Sequence, residues 1–170
     1  MKMTLVLCLL TPSFLIATEP LRFESFPQTN TIRETPAPLD LKSHPKGYEY
    51  RTRLSEGASG KRDFAGFYTV VMWGCGSPCQ QVALIDARDG KVYFAPFVTA
   101  LGGRFRLNSR LFMKDAPDDI AEFNAYDWVQ GGPIPSSEYW LWDEKSKRFN
   151  LLFTTEPKPK SKPEESARTK

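Results

Sequence analysis

The residues best suited to chemistry in this chain are Cys75 and Cys79, set in the run GCGSPC at 74–79. Two glycines and a proline make that run a tight turn, so the two thiols can close on each other as a local disulfide. A loop this small gains about 2 kcal/mol by the chain-entropy argument, and its role is to fix the turn. The alternative is thioredoxin-type redox chemistry, which uses C-x-x-C at a helix N-terminus, where the thiol pKa falls. Here the spacing is one residue longer and strand-like segments flank it. Zinc takes about four nitrogen or sulfur ligands, and only His44, far away between Ser43 and Pro45, could join the two cysteines. We expect no metal, no cofactor and no catalytic residue.

A nucleophilic hydrolase would depend on that single histidine, and the chain has no Gly-x-Ser-x-Gly elbow. Carboxylates are more plentiful: Asp86, Asp89, Asp115, Asp118, Asp119 and Asp127. A glycosidase needs two of them about 5–10 Å apart across a cleft, and nothing in their spacing specifies such a pair. Turn chemistry accounts for Asp86 and Asp89, and a helix N-cap or a plain loop for Asp118-Asp119.

The remaining candidates are binding surfaces. Arg104, Arg106, Arg110 and Lys114 alternate along 104–114 with Phe105, Leu107, Leu111 and Met113, the pattern of a strand with one basic, wet face. Such a face could meet an anionic polymer or an acidic protein, or simply be solvated; the same pattern guards an edge strand from aggregation. Tyr139, Trp140 and Trp142 crowd one short segment, and aromatic residues with a polar handle serve sugar and protein recognition when exposed. Trp73, Gly74, Gly76 and Gln80 complete the candidate surface around the cysteine turn.

These residues need elements to hold them. Tyr50, Leu54 and Ala58, at spacing four, predict one short helix over 49–58. FAGFYTVVMW (64–73) is aromatic and β-branched at both alternating positions, a strand covered on both faces. QQVALIDA (80–87) and KVYFAPF (91–97) are strands joined at Asp89-Gly90, which suits a two-residue primed turn. Segment 115–136 reads as a loop anchored by Phe123, Tyr126 and Trp128. EYWLW (138–142) and RFNLLF (148–153) make a terminal hairpin around a five-residue loop. Strands at hairpin spacing predict a mainly β fold. It would be an antiparallel meander forming a small sandwich or open barrel, with one short helix before the first core strand.

Residues 1–17, MKMTLVLCLLTPSFLIA, follow a cationic start with an uncharged apolar run that stops at Thr18, Glu19 and Pro20. The run falls short of the roughly 20 residues a spanning helix needs and reads as a secretory signal peptide ending near Ala17. Its removal takes Cys8 with it, leaves no membrane span, and leaves Cys75 and Cys79 as a pair suited to an oxidising compartment. Residues 18–47, with five prolines, read as an extended arm, pinned by Leu21, Phe23 and Phe26 and able to add an edge strand. Residues 48–154 make a single β domain. Residues 155–170 hold no aromatic residue and no aliphatic one larger than Ala167, too little apolar surface to offset ordering entropy, so the tail is expected to be disordered. The net charge of +3 resides in the leader and tail, since 18–154 carries 17 basic and 17 acidic residues. Nucleic acid is not an expected partner of such a neutral exported domain.

One block of this sequence carries a resemblance. Asp63-Phe64-Ala65-Gly66-Phe67-Tyr68, Trp73-Gly74-Cys75-Gly76, Cys79-Gln80, Ile85-Asp86 and Gly90-Lys91-Val92-Tyr93 together resemble a group of uncharacterised exported bacterial proteins. Asn108-Ser109-Arg110-Leu111 and the terminal aromatic hairpin are similar as well, so the likeness covers roughly 48–153. The chain departs at Phe67, where the group has His, and by one additional residue between the cysteines. The resemblance implies a periplasmic or secreted location and no particular activity. The expectation is an exported, non-catalytic binding or interaction protein whose partner is another envelope protein. The alternatives are an envelope hydrolase acting on carbohydrate or peptide through carboxylates, and a structural envelope component or thiol-redox protein.

Overall fold

The β-rich stretches fold as two separate antiparallel meanders, whose neighbouring strands follow one another in the chain, through short connections except at the longer segment 115–137 between β5 and β6. The computed structural model describes residues 21–32, 34–125 and 135–155. The leader 1–17, the tail from 156 onward, Tyr126, Asp127 and Trp128 lie outside the described residues. The first sheet holds β1 (Tyr68–Gly76), β2 (Cys79–Asp86) and β3 (Val92–Thr99), in that spatial order. The second holds β4 (Gly103–Phe105), β5 (Leu111–Lys114), β6 (Glu138–Asp143) and β7 (Arg148–Thr154), again in order. All pairings within the sheets are antiparallel. The fold is mainly β, an open two-sheet sandwich, and helix α1 (Arg51–Ala58) precedes the first strand as expected.

Side-chain alternation builds the layers. Tyr68, Val82, Leu84 and Phe97 of the first sheet meet Phe112, Trp142 and Phe149 of the second, with Phe64 among them. The rings meet edge-on, Tyr68 on Trp142 at 5.1 Å and Phe97 on Phe149 at 5.4 Å, which suits their quadrupoles. The alternate residues Val71, Trp73, Ala83, Ile85 and Val92 face the other way, against Leu54 of α1 and Leu39 and Leu41 of the arm. The first sheet is therefore covered on both faces, which explains why its strands read as continuous apolar runs. Gly57 lets α1 approach so closely: a Cβ there would lie 2.3 Å from a Val71 methyl.

Several boundaries differ from the sequence expectations, each for a local reason. The first strand begins at Tyr68 rather than Phe64, because the chain doubles back through Ala65 and Gly66 at φ 44° and 76° and Phe64 bridges to Tyr68. The β2–β3 connection is the five-residue segment 87–91, not a two-residue turn: the Arg88 amide donates to the Asp86 carboxylate and the Gly90 amide to the Asp86 carbonyl. Segment 104–114 is a hairpin, not one strand, with Arg104 paired to Met113. The break lies at buried Ser109, whose hydroxyl oxygen is 2.8 Å and 3.1 Å from the Phe23 and Phe26 carbonyls and accepts the Leu111 amide. The bond from the Leu111 amide is a local side-chain bond of the kind that competes with strand alternation, and the arm's carbonyls hold Ser109 in place for it. Segment 115–136 contains helix α2 (Pro117–Ala125), started by a proline in the first turn and by Asp118 and Asp119 near the helix dipole's positive end. The terminal hairpin loop has four residues, 144–147, since Asp143 pairs with Arg148. The described part of the arm adds no strand. It touches the domain through isolated bridges at Pro27–Ser109 and Asp40–Lys91 and through 3-10 turns at Phe23–Ser25 and Leu41–Ser43. Its prolines interrupt the run of donors a strand would need. Thr155, counted with the tail, belongs to the fold: its amide donates to Ser137 O at 2.8 Å.

Candidate functional site

The densest polar cluster closes one end of the sandwich. Asp86, only 1% exposed, ends β2. Its carboxylate accepts from the Arg88 amide at 3.0 Å and from Nε at 2.8 Å, and pairs with Nη2. The Arg88 guanidinium continues to Glu144 in the β6–β7 loop at 2.6 Å and to the Tyr68 hydroxyl at 2.9 Å, and stacks over the Phe67 ring at 4.1 Å. Lys147 donates to the Tyr68 oxygen at 2.8 Å and pairs with Glu144. Tyr68 in turn donates to Glu144 at 2.7 Å, and Trp142 Nε1 does so at 3.0 Å. Burial, with the Glu144 hydrogen bond and the nearby carboxylates, pushes the Tyr68 phenol far above its ordinary pKa. The bond to Asp86 above all raises Arg88. Burial pulls Glu144 upward, but bonds from Lys147, Tyr68, Arg88 and Trp142 outweigh it and hold the carboxyl below its ordinary value. Two acids face two bases, and both carboxylates are occupied by the protein's own donors. The cluster clamps one sheet to the other, through Arg88–Glu144 and Tyr68–Glu144, pairs 56 and 76 residues apart along the chain. The turn chemistry expected of Asp86 is present; Lys147 and, through Arg88, Glu144 reach it from the other sheet and carry no signal in the sequence because the packing of one sheet on the other sets these contacts.

The cysteine turn sits at the tip of the β1–β2 hairpin. Cys75 and Cys79 form a disulfide with their Cα atoms 5.1 Å apart. The tip stands clear of the body, since a Cβ at Gly74 or Gly76 would meet nothing within 4 Å. Gln80 is half-buried beside Thr99. Trp73 does not belong to this surface: it is buried against Tyr50 at 4.9 Å and Phe94 at 5.8 Å.

The expected single basic face is absent. Arg104 on β4 pairs with Asp118 and Asp119 of α2. Arg106 lies beyond β4, pairs with Glu24 and stacks on Phe23 at 4.5 Å. The half-buried Arg110 is tied by its backbone, its amide donating to Phe26 O and its carbonyl accepting from Trp142 N. The β4–β5 turn points the three arginines at different neighbours, and two of them are neutralised locally.

The aromatic segment divides by alternation. Trp142 is buried in the inter-sheet core and Tyr139 is buried on the opposite face, 6.0 Å from the Phe153 ring. The sequence left both an exposed and a core placement open for these rings, and Tyr139 and Trp142 take the core placement. Trp140 alone is half-exposed, tilted over Phe97 at 4.7 Å. It lines a cleft of about 680 Å³ between β3 and the second sheet, with Phe94, Phe97 and Val98 as apolar neighbours. Lys46, Gln81, Lys114 and Glu138 supply the polar side. Glu138 is held in place by Lys114 at 2.7 Å and by Trp140 Nε1 at 2.8 Å, while Lys46 lies 5.9 Å from the Phe94 ring. The cleft thus joins an aromatic surface to fixed charges of both signs. Of its lining, Trp140 was marked by type and Lys114 as part of the basic pattern; β3 contributes through the packing of one sheet on the other, which sequence spacing does not reveal.

Among the described residues no three of His, Cys, Asp and Glu gather as a metal site would require, and no helix is long and apolar enough to cross a membrane. Compared with protein-family models, curated proteins and solved structures, the chain matches none.

Proposed function

We propose that this is an exported, non-catalytic interaction protein, and that the cleft under Trp140 is where it takes a partner protein of the envelope. Export rests on the leader-like segment 1–17, on the disulfide at an exposed turn and on the resemblance of block 63–93 to exported bacterial proteins. Binding rests on one observation: Trp140 keeps an open edge in a cleft that also holds a fixed Lys114–Glu138 pair. Aromatic anchors in partly desolvated pockets beside oriented charges are what protein partners use. The hydrolase alternative would draw on Asp86 and Glu144, the two carboxylates that converge. Both are engaged by Arg88 and Lys147, and this favours the binding reading.

Two measurements test it. N-terminal sequencing of the protein recovered from its host should find a start near Thr18; a chain retaining Met1 in the cytoplasm refutes export. A photo-crosslinking residue at Val98, in the cleft, should trap a discrete envelope protein in the living cell, whereas the same residue at exposed Tyr48 should not. The adduct should vanish when Trp140→Arg fills the cleft with charge. Equal trapping at both positions, or an adduct indifferent to Trp140→Arg, refutes the cleft as the site.

A further inference from the structure

The last turn of the arm, segment 40–47, carries the chain's only histidine. The Asp40 amide donates to Gly90 O at 2.9 Å, and the Val92 amide donates to the Ser43 hydroxyl at 2.9 Å. The His44 ring then stacks on Phe94 of β3, with centroids 4.4 Å apart. Inside the turn, the Lys46 amide donates to His44 Nδ1 at 3.1 Å. An imidazole nitrogen accepts a hydrogen bond only while it carries no proton, so the turn is built around the neutral ring. Phe94 and Lys46 also line the cleft under Trp140, which makes this turn part of the cleft wall.

We infer that His44 is a pH latch: protonation at Nδ1 loosens turn 40–47 from Phe94 and withdraws the Lys46 side of the cleft. The new N–H would face the Lys46 N–H, donor against donor. A cation gains from an aromatic face, but Lys46 Nζ already lies 5.9 Å from the Phe94 centroid, so an imidazolium there meets a second positive charge. Among the described residues no carboxylate pairs with His44 to offset it. On its own turn the Asp40 carboxylate takes the Lys42 amide. In the β2–β3 connection Lys91 pairs with Asp89. Ahead of α1 the Tyr50 hydroxyl accepts from Gln81, and β3 offers the uncharged Phe94 ring. Burial first, and then the Lys46 charge, hold His44 below its ordinary value of 6.5. The stability that the latch adds is therefore present above 6.5 and is lost as the pH falls through the lower, folded value. Its effect on partner capture rests on the proposed use of the cleft; the latch itself does not.

Nuclear magnetic resonance of the folded protein tests this between about pH 8 and pH 5, where histidine titrates. The single histidine gives one Hε1 signal, whose midpoint should lie below 6.5. Amide-exchange protection at Val92 should fall about fivefold across that midpoint, the factor that one net hydrogen bond supports. His44→Phe keeps a stacked ring that cannot titrate, so Val92 should stay protected throughout. Lys46→Gln removes the ammonium and should move the His44 midpoint up toward 6.5. Crosslinking from Val98 should weaken through the same pH window in the native chain and hold steady in His44→Phe. A midpoint at or above 6.5, Val92 protection indifferent to it, or a fall that persists in His44→Phe overturns the latch. Crosslinking that ignores an opened latch overturns its hold on the cleft. Crosslinking absent at every pH counts against the cleft as a partner site alone, since the resonance signals read the latch without a partner.

Discussion

Asp86→Asn is the most informative single change at the end clamp. Asp86 is almost fully buried and receives three donors from Arg88, with Lys147 Nζ at 3.5 Å. Asparagine keeps an oxygen for the Arg88 amide but turns an NH2 group toward the guanidinium or Lys147, donor against donor. Removing one partner of a buried ion pair costs about 3–5 kcal/mol. Arg88 remains 31% exposed at its side chain and keeps Glu144, and that residual solvation lowers the expected loss to about 2–3 kcal/mol. For a chain of this size each kcal/mol moves the midpoint by about 2–4 °C, so Tm should fall by about 4–12 °C at neutral pH. Differential scanning calorimetry of Asp86→Asn, Arg88→Gln and the double variant closes a cycle. The double variant should lose clearly less than the two single losses added, because residues in one network couple. A Tm within a degree of native for Asp86→Asn, or additive losses, would refute the view that the clamp holds the two sheets together.

Further expectations concern other parts of the molecule. Because Glu144 is held below its ordinary value, the stability it contributes is complete above the ordinary carboxylate pKa and is lost as pH falls through its folded value; Glu144→Gln should flatten the acid limb of a Tm-against-pH curve. Replacing Cys75 and Cys79 by Ser should cost about 2 kcal/mol, and reductant should lower the native Tm equally while leaving the variant unmoved. Asp115 is buried, and burial raises its carboxyl even though Oδ1 takes the Ala100 and Leu101 amides at 2.9 Å and 2.7 Å. Asp115→Asn keeps that oxygen and tolerates φ 47°, so it should hold or raise Tm at neutral pH. Gly90→Ala would set a Cβ 1.9 Å from Pro38 O at φ 75°, so it should free the arm, seen as faster protease cleavage within 36–47.

The legible and illegible parts of this protein divide along a physical line. The two-faced apolar runs of β2 and β3 announce a covered sheet because local alternation alone requires an apolar layer on each side. The same reasoning failed at 104–114. There the alternation was real, but Ser109 bonding to carbonyls of the arm broke the strand into a hairpin, and those carbonyls lie 86 and 83 residues away. Helix α2 carries a start signal in Pro117, Asp118 and Asp119, but the Asp, Pro and Gly residues of 115–136 give the segment the composition of a loop and hide it.

The sequence alone determined the leader-like start, the cysteine turn, the neutral charge of 18–154 and the mainly β class, since all of these depend on neighbours within a few residues. Which tryptophan is open, where the arginines point, and which carboxylates meet cations depended on how one sheet lies on the other. Trp140 and Trp142 share a face by alternation, but only the position of β3 leaves one at a cleft and buries the other. Asp86 and Glu144 each have one local cation, Arg88 and Lys147, and only the packed sheets turn Arg88 onto Glu144 and Lys147 toward Asp86. Inter-sheet contacts of this kind join residues that local sequence rules cannot pair, and the candidate site and the clamp are both built from them.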